Sequence, residues 1–302
     1  MKPRPALGGL PVRNGVSPSC VSLPGGDWPT FTDFLVQRFP DIPRELWLQR
    51  MADGAVVDEF GEAVTAERSY RGHMRLYYYR ALPPETRIPF DEELLFQDQH
   101  LVVVDKPHFL PVTPSGHYLQ ETLLVRLKNR LGLDGLSPIH RIDRETAGIV
   151  LFSVQPTERA AYQDLFRQRS VSKHYEAIAP WRAELAFPRV CRSRIVEGQP
   201  FFRQAEVPGP ANSETHIDVL EVRGPLARYA LSPVTGKKHQ LRVHMFALGL
   251  PILNDRVYPP LDPTPEDDYR FPLQLLAKEI AFDDPFTMER RQFSSKQRLE
   301  LP

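Results

Sequence analysis

Three short segments hold residue types whose spacing could do chemistry. The first runs His140-Arg141-Ile142-Asp143-Arg144-Glu145-Thr146-Ala147-Gly148 and leads into the apolar run Ile149-Val150-Leu151-Phe152. An Asp flanked by two Arg is held ionised by the positive charge beside it. A carboxylate presented this way can act as a nucleophile or a base next to a polyanion. Taken alone, the same grouping is more often a surface ion pair of little energetic worth. The second segment is Lys173-His174-Tyr175-Glu176-Ala177-Ile178-Ala179. Its alternation puts Tyr175, Ala177 and Ala179 on one face of a strand, where the ring is either plain core or a stacking platform. The third is Thr235-Gly236-Lys237-Lys238-His239-Gln240-Leu241-Arg242-Val243-His244-Met245. Three basic residues at a helix start oppose the helix dipole, which suggests an anion for them to bind; the plainer alternative is a solvated basic turn.

The elements that must position these groups follow from periodicity. Gly148 allows a tight turn before a buried strand at 148–154. Further strands are predicted at 101–105, 173–179, 216–223 and 226–232. Thr235-Gly236 reads as a turn, after which Leu241, Met245 and Leu248 share a helix face that Gly249 can end. Helices are also predicted at 121–131, from Leu123, Leu124, Leu127 and Leu131, and at 157–168, from Ala161, Tyr162, Leu165 and Phe166. The fold class is α+β with a largely antiparallel sheet.

In order and spacing, the three segments resemble the signature motifs of the RluA-type pseudouridine synthases. That family carries His-Arg-Leu-Asp-x-x-Thr-Ser-Gly, a Lys-x-Tyr-x-Ala strand, and Gly-Arg-Thr/Ser-His-Gln-Leu/Ile-Arg-Val-His. Flanking pieces agree: Val103-Val104-Asp105-Lys106-Pro107 is similar to its strand ending in Lys-Pro, and Pro251-Ile252-Leu253-Asn254-Asp255-Arg256-Val257-Tyr258 to its Pro-Ile-x-Gly-Asp-x-x-Tyr. Leu276-Ala277 with Phe282 and Pro285 resembles its closing motif, so the likeness runs from about residue 90 to the C-terminus. The resemblance implies a pseudouridine synthase fold, a long mixed, mostly antiparallel sheet with a central catalytic cleft. It implies roles as well. Asp143 is the catalytic carboxylate, Tyr175 stacks on the target uracil near C5, and Arg242 pairs with Asp143. Arg141 wedges into the RNA where the base has left the stack. His140, Thr146 and Gly148 shape the loop, while Lys106, Lys237, Lys238 and His239 contact phosphate or substrate. Four positions depart from the family pattern: Ala147 for Ser, Lys237-Lys238 for Arg-Thr/Ser, Asn254 for Gly, and Leu275 or Leu276 where His is usual. Asn tolerates positive φ, so the turn at 254 can survive.

The implied reaction breaks the N1–C1′ bond of uridine, turns the base and joins C5 to C1′. Nothing is oxidised or added, so no cofactor or metal is expected. The carboxylate can attack C1′ or take a sugar proton and pass through a glycal; the residues do not choose between these. A base inside RNA structure must first be extruded. Two other readings compete. One is a catalytically inactive RNA-binding or ribosome-assembly factor on the same scaffold, which retention of Asp143, Tyr175 and Arg242 disfavours. The other is a carboxylate hydrolase using Asp143 with His140 or His239, which lacks metal-ligand spacing and a Gly-x-Ser-x-Gly element.

Of 302 residues, 41% are apolar, enough for one large or two smaller domains. Two cysteines, Cys20 and Cys191, exclude a disulfide framework or zinc cluster. No secretory leader or membrane-length apolar run is visible, so a cytoplasmic monomer without membrane contact is expected. Lys and Arg total 38, as do Asp and Glu. Zero net charge is unusual for a protein that binds nucleic acid. Local clusters answer it: Arg68, Arg71, Arg75 and Arg80 lie among Tyr70, Tyr77, Tyr78 and Tyr79, and Arg141, Arg144, Lys237 and Lys238 lie by the motifs. Residues 1–27 read as a mobile Pro/Gly-rich tail or a surface strap. Residues 28–80 form a small unit of helix, helix and strands that resembles an S4-type RNA-binding domain, or is simply a small cap. Residues 81–89 read as a linker, and 90–302 as the catalytic domain. RNA is the expected partner, with ribosomal RNA favoured on the strength of the S4-like unit and transfer RNA the second choice.

Overall fold

A computed structural model describes residues 10–80, 85–116, 118–200, 202–258, 265 and 267–301. The chain divides into two compact units. The smaller takes in Met1–Glu85 with Lys128–Asp134, the larger Thr86–Leu127 with Gly135–Pro302.

The smaller unit contains β1 (Ser19–Ser22), α1 (Phe31–Arg38), α2 (Arg44–Ala52), β2 (Val56–Asp58) and β3 (Arg75–Tyr78). Its strands form an antiparallel sheet in the order β1-β3-β2. Thr30 and Asp33 cap α1 reciprocally, satisfying backbone donors at its start. Phe31, Phe34 and Leu35 then pack with Trp47 and Met51 of α2 and with Val56 and Leu76 of the sheet. Strand β1 corrects the sequence reading, which made residues 1–27 a mobile tail or strap. Val21 and Leu23, two residues apart, both enter this core. Prolines and glycines on either side hid that alternation. Residues 1–9 lie outside the described residues.

The larger unit begins at Thr86 rather than at 90. The expected linker 81–89 is therefore not one throughout. Residues 81–84 lie outside the described residues, but Ile88 is fully buried, its N–H donates to Glu121 at 3.0 Å and its carbonyl accepts from Arg126 at 2.7 Å. Beyond it come β4 (Glu93–Gln97), β5 (Leu101–Lys106), α3 (Leu123–Leu131), β6 (Ser137–Pro138), β7 (Ala147–Ser153), α4 (Arg159–Arg167), β8 (Ser172–Pro180), β9 (Arg189–Glu197), β10 (Gln204–Val207), β11 (Ser213–Arg223), β12 (Leu226–Pro233), α5 (Gln240–Ala247), β13 (Leu275–Asp283) and β14 (Arg290–Ser294). Eleven strands form one sheet in the order β10-β9-β11-β12-β8-β13-β7-β5-β4, with β14 on β13 and β6 on β7. The β13–β7 pair is parallel, while the other pairings are antiparallel, so the sheet is mixed as expected. Among the described residues, no helix is long and apolar enough to cross a membrane.

One transverse row of this sheet sets up the site. Leu231 pairs with Tyr175, Tyr175 with Ala277, Ala277 with Gly148, and Gly148 with Lys106. The row crosses β12, β8, β13, β7 and β5. Helix α5 packs on the β8–β12–β11 face through Leu241 and Met245, with Leu248 partly buried beside them. Full burial of each such side chain is worth roughly 1.5–3 kcal/mol. Gly249, at φ +72°, closes the helix as expected: its N–H reaches the Phe246 carbonyl and that of Leu250 reaches Met245. Asn254 does take the positive φ of the Gly it replaces, at +62°.

Gly148 is the tightest point of the row. Its φ is +110°, and a Cβ there would stand 2.2 Å from the Ala277 carbonyl oxygen across the parallel pair. Gly148→Ala is therefore expected to destabilise the protein by at least about 3 kcal/mol, read as a lowered urea midpoint. A midpoint equal to that of the unsubstituted protein would contradict the close approach.

Candidate active site

Asp143 lies on the loop entering β7, Tyr175 on β8 and Arg242 on α5. The Asp143 loop is pinned from several sides. The Thr146 N–H donates to the Asp143 carbonyl at 3.2 Å, closing a turn. Nε2 of His140 accepts the Leu151 N–H at 3.2 Å, and its ring stacks on Phe166 at 4.8 Å between centroids. Burial, helped by the Lys173 charge, pushes His140 down to about 3, which keeps that nitrogen an acceptor. Nδ1 of His108 lies 2.6 Å from the Glu145 carbonyl.

Lys106 departs from its expected role. Its side chain is fully buried, and Nζ donates to the carbonyls of Pro107 (2.9 Å), Leu110 (2.8 Å) and Arg144 (3.0 Å). All three ammonium donors are thus taken by backbone. Burial lowers its pKa to about 7, while the neighbouring charges of Glu145 and Asp143 oppose that fall. Lys106 does not line the cleft. It holds the Asp143 loop against β5 instead of facing the cleft.

Arg242 stands between two carboxylates and is 2% exposed. Nη1 donates to Asp143 Oδ2 at 3.1 Å; Nε and Nη2 donate to the two oxygens of Asp255 at 2.8 and 2.7 Å. Asp255 Oδ1 also accepts the N–H groups of Val257 (2.8 Å) and Tyr258 (3.0 Å). The bidentate pair fixes the guanidinium plane and turns Nη1 toward Asp143. The Tyr258 ring lies 5.5 Å from the guanidinium carbon. Nδ1 of His239 meets the Tyr258 hydroxyl at 3.1 Å, and its Nε2 comes within 3.8 Å of Asp143 Oδ1.

Burial pushes the Asp143 pKa up, but His239, Arg242 and Arg141 outweigh it, so the net shift is downward. Burial also lowers His239 below its ordinary value. At neutral pH that imidazole is therefore mostly uncharged, and Arg242 is the partner that keeps Asp143 ionised. Tyr175 is pushed well above the usual phenol range, first by burial and then by the Asp143 charge. Its hydroxyl stays protonated.

Asp143, Tyr175 and Arg242 line one cleft of about 620 Å³. His140, Arg141, Thr146, Lys237, Lys238 and His239 line it too, so the structure brings together the expected site residues other than Lys106. Lys237 and Lys238 are exposed on the turn that Gln240 ties down. Gln240 Oε1 accepts from Thr235 Oγ1 and the Lys237 N–H, and Nε2 donates to the Glu214 carbonyl and Thr215 Oγ1. Asp143 is the one carboxylate among the cleft-lining residues, against the cations of Arg141, Arg167, Lys173, Lys237, Lys238 and Arg242. Among the described residues, no group of three or more His, Cys, Asp or Glu is placed to hold a metal ion.

Sequence reasoning gave no role to Asp255, Tyr258, Gln240, Lys173 or Arg167. The signal for Asp255 was present: a buried Arg needs fuller compensation than one half-open carboxylate, and the Asp-x-x-Tyr stretch lay in a recognised motif.

Residues 100–247 match the family described as RNA pseudouridylate synthase. The dual-specificity RNA pseudouridine synthase RluA of Haemophilus influenzae is 34% identical over 213 residues, covering 68% of this chain and 92% of that protein. The chain belongs to the RNA pseudouridylate synthase family. It is an enzyme that isomerises uridine to pseudouridine. The mitochondrial tRNA pseudouridine(32) synthase of Saccharomyces cerevisiae is 28% identical over 240 residues, 75% of this chain and 49% of that one. Human RNA pseudouridylate synthase domain containing 1 shares the fold, with a TM-score of 0.57 at 22% identity over 71% of this chain and 86% of that structure. Human domain containing 4 aligns at a TM-score of 0.52 and 28% identity, over 68% and 88%.

In this synthase, Arg242→Ala would strand the buried Asp255 carboxylate and remove the main charge on Asp143. A loss of about 3–5 kcal/mol in unfolding free energy is expected. Arg242→Lys should restore little of it, because an ammonium cannot hold Asp255 at two points and reach Asp143 as well. With the guanidinium gone, burial raises the Asp143 pKa, so the acid limb of kcat/KM moves toward neutral pH. A pH–rate profile of the Lys variant that overlays the parent would contradict this pairing.

Proposed function

We propose that this synthase isomerises specific uridines within structured RNA, ribosomal or transfer, by base flipping and an Asp143-dependent rearrangement of the glycosidic bond. The observation that carries this reading is Asp143 itself, the one anion in a cation-lined cleft, ionised by Arg242 and sharing the cleft with Tyr175. The cations of Arg141, Lys237 and Lys238 suit the phosphates flanking an extruded nucleotide, and Arg141, exposed and with no hydrogen bond or ion pair among the described residues, is the residue to fill the space it leaves. Tyr175 supplies a face for the uracil; base–aromatic stacking is worth roughly 1–3 kcal/mol.

Chemically, the ionised Asp143 either attacks C1′ as N1 departs or removes a sugar proton to give a glycal. In both routes the base turns and C5 joins C1′, displacing the Asp143 ester in the first and adding to the glycal in the second, where Asp143 returns the proton to the sugar. C5 then gives up its proton and N1 regains one, so atoms balance without a co-reactant. Because its hydroxyl remains protonated, Tyr175 relays that proton rather than accepting it outright.

Asp143→Asn is nearly isosteric. It is expected to reduce tritium release from RNA labelled at uracil C5 by at least about 10³-fold while RNA binding survives. Normal turnover in this variant would remove Asp143 from its role. Tyr175→Phe should keep RNA affinity and lose turnover; an unchanged rate would leave the hydroxyl idle. A parent protein that binds RNA but releases no tritium would favour the inactive RNA-binding factor. Mapping pseudouridines in a deletion strain against its parent identifies the RNA.

A further inference from the structure

The smaller unit has a cavity of its own, of about 350 Å³. Its lining includes the guanidinium groups of Arg13, Arg50 and Arg80, against one carboxylate, Asp53. Arg50 lies on α2, with its guanidinium carbon 4.9 Å from the ring of Trp47, which is itself fully buried. Nε and Nη1 of Arg50 are buried and have no hydrogen-bond partner among the described residues. Buried donors of a charged group left unmade are costly and rare, and they call for an acceptor. Arg13 approaches from a tight turn in which Asn14 and Gly15 both take positive φ and Arg13 and Val16 exchange backbone hydrogen bonds. Its guanidinium carbon lies 3.9 Å over the ring of Tyr79, and the Tyr79 hydroxyl donates to the Pro11 carbonyl.

Two other arginines of the same unit do meet carboxylates. Arg68 donates to Asp58 at 2.7 Å and Arg44 to Asp33 at 2.8 Å. Among the described residues, no carboxylate forms an ion pair or hydrogen bond with Arg50. Burial lowers its pKa, and the Arg80 charge adds to that fall while Tyr78 opposes it.

We propose that this cavity is a phosphate-binding site for the backbone of the RNA substrate, held by Arg50 and Arg80 with Arg13 closing over it. It rests on the reading of RNA as substrate and assigns the smaller unit a part in binding it. Phosphate suits the site because guanidinium donors match its oxygens at two points. A base does not, since the Tyr79 ring is buried and already covered by Arg13, leaving no aromatic face to stack on. Contacts of this kind position RNA without reading its sequence.

The test uses the full chain and an unmodified transfer RNA transcript as probe, with Arg50→Gln, Arg80→Gln and the double variant. Each single variant should weaken binding about threefold to tenfold near physiological salt, and each lost phosphate contact should reduce the slope of log K against log salt by about one. Single-turnover tritium release at saturating RNA should be unchanged, because none of these residues lines the catalytic cleft. Arg50→Gln removes an unsatisfied buried charge, so its melting temperature should hold or rise. Should it unfold, Arg80→Gln carries the test. Equal affinity and salt slope in the double variant would overturn the proposal even if the parent makes pseudouridine. So would loss of polyglutamate binding with RNA binding intact, which would make the site one for acidic peptide. A parent that binds the transcript through these arginines yet forms no pseudouridine would instead overturn the functional reading and leave this one standing.

Discussion

The larger unit of this protein is organised around the need to bury a guanidinium. Arg242 sits on a helix whose residues from Gln240 to Met245 are all buried. Charge in that position is tolerable only when its hydrogen bonds are complete, and Asp255 supplies two of them. Such a pair adds little net stability over a well-packed apolar pair. What it does provide is direction. With two N–H groups committed to Asp255, the remaining edge of Arg242 can point only where Asp143 stands. The loop before β7, the αL start of α5 at His239 and the turn at 254–258 are each arranged to keep that geometry.

The sheet supplies the other half of the constraint. Tyr175 and Gly148 are not neighbours on adjacent strands; Ala277 of β13 lies between them and pairs with both. The distance between the aromatic platform and the carboxylate loop is thus set by one inserted strand, and the parallel register at 147–148 fixes it along the strand direction. Small side chains at 147 and 277 and the bare Cα at 148 let this close row form. Lys106, at the end of the row, converts a buried positive charge into three anchors for the loop.

Much of this was legible in the sequence because it is local. Alternation marked β8, helical spacing marked the Leu241–Met245 face, and Gly249 marked where that helix ends. The Asp143, Tyr175 and Arg242 set was legible because the chemistry narrows the choice of side chain. The role of Lys106 was not: the residue type suits phosphate equally well, and only tertiary packing removes it from solvent. Asp255 was overlooked as a functional group because its importance comes from what it faces, 13 residues away in the chain. Strand β1 was hidden because its core residue Val21, and Leu23 just beyond its end, sit between proline- and glycine-rich neighbours. The Arg–Tyr stretch from 68 to 80 reads as one basic, aromatic surface, but Tyr70 packs on Trp28 and Phe34, and Arg68 pairs with Asp58.

The buried imidazoles of the larger unit give it an acid limit of its own. His108 and His244 are held down to about 4 and His140 to about 3, each chiefly by burial. In the unfolded chain they would take up protons near their ordinary value of 6.5. Folding therefore excludes protons between the two values, and stability drains away as pH falls below about 6.5 toward 4. Asp143, held below its ordinary carboxylate value, remains ionised throughout that window. On acidification, then, the scaffold gives way while Asp143 is still charged.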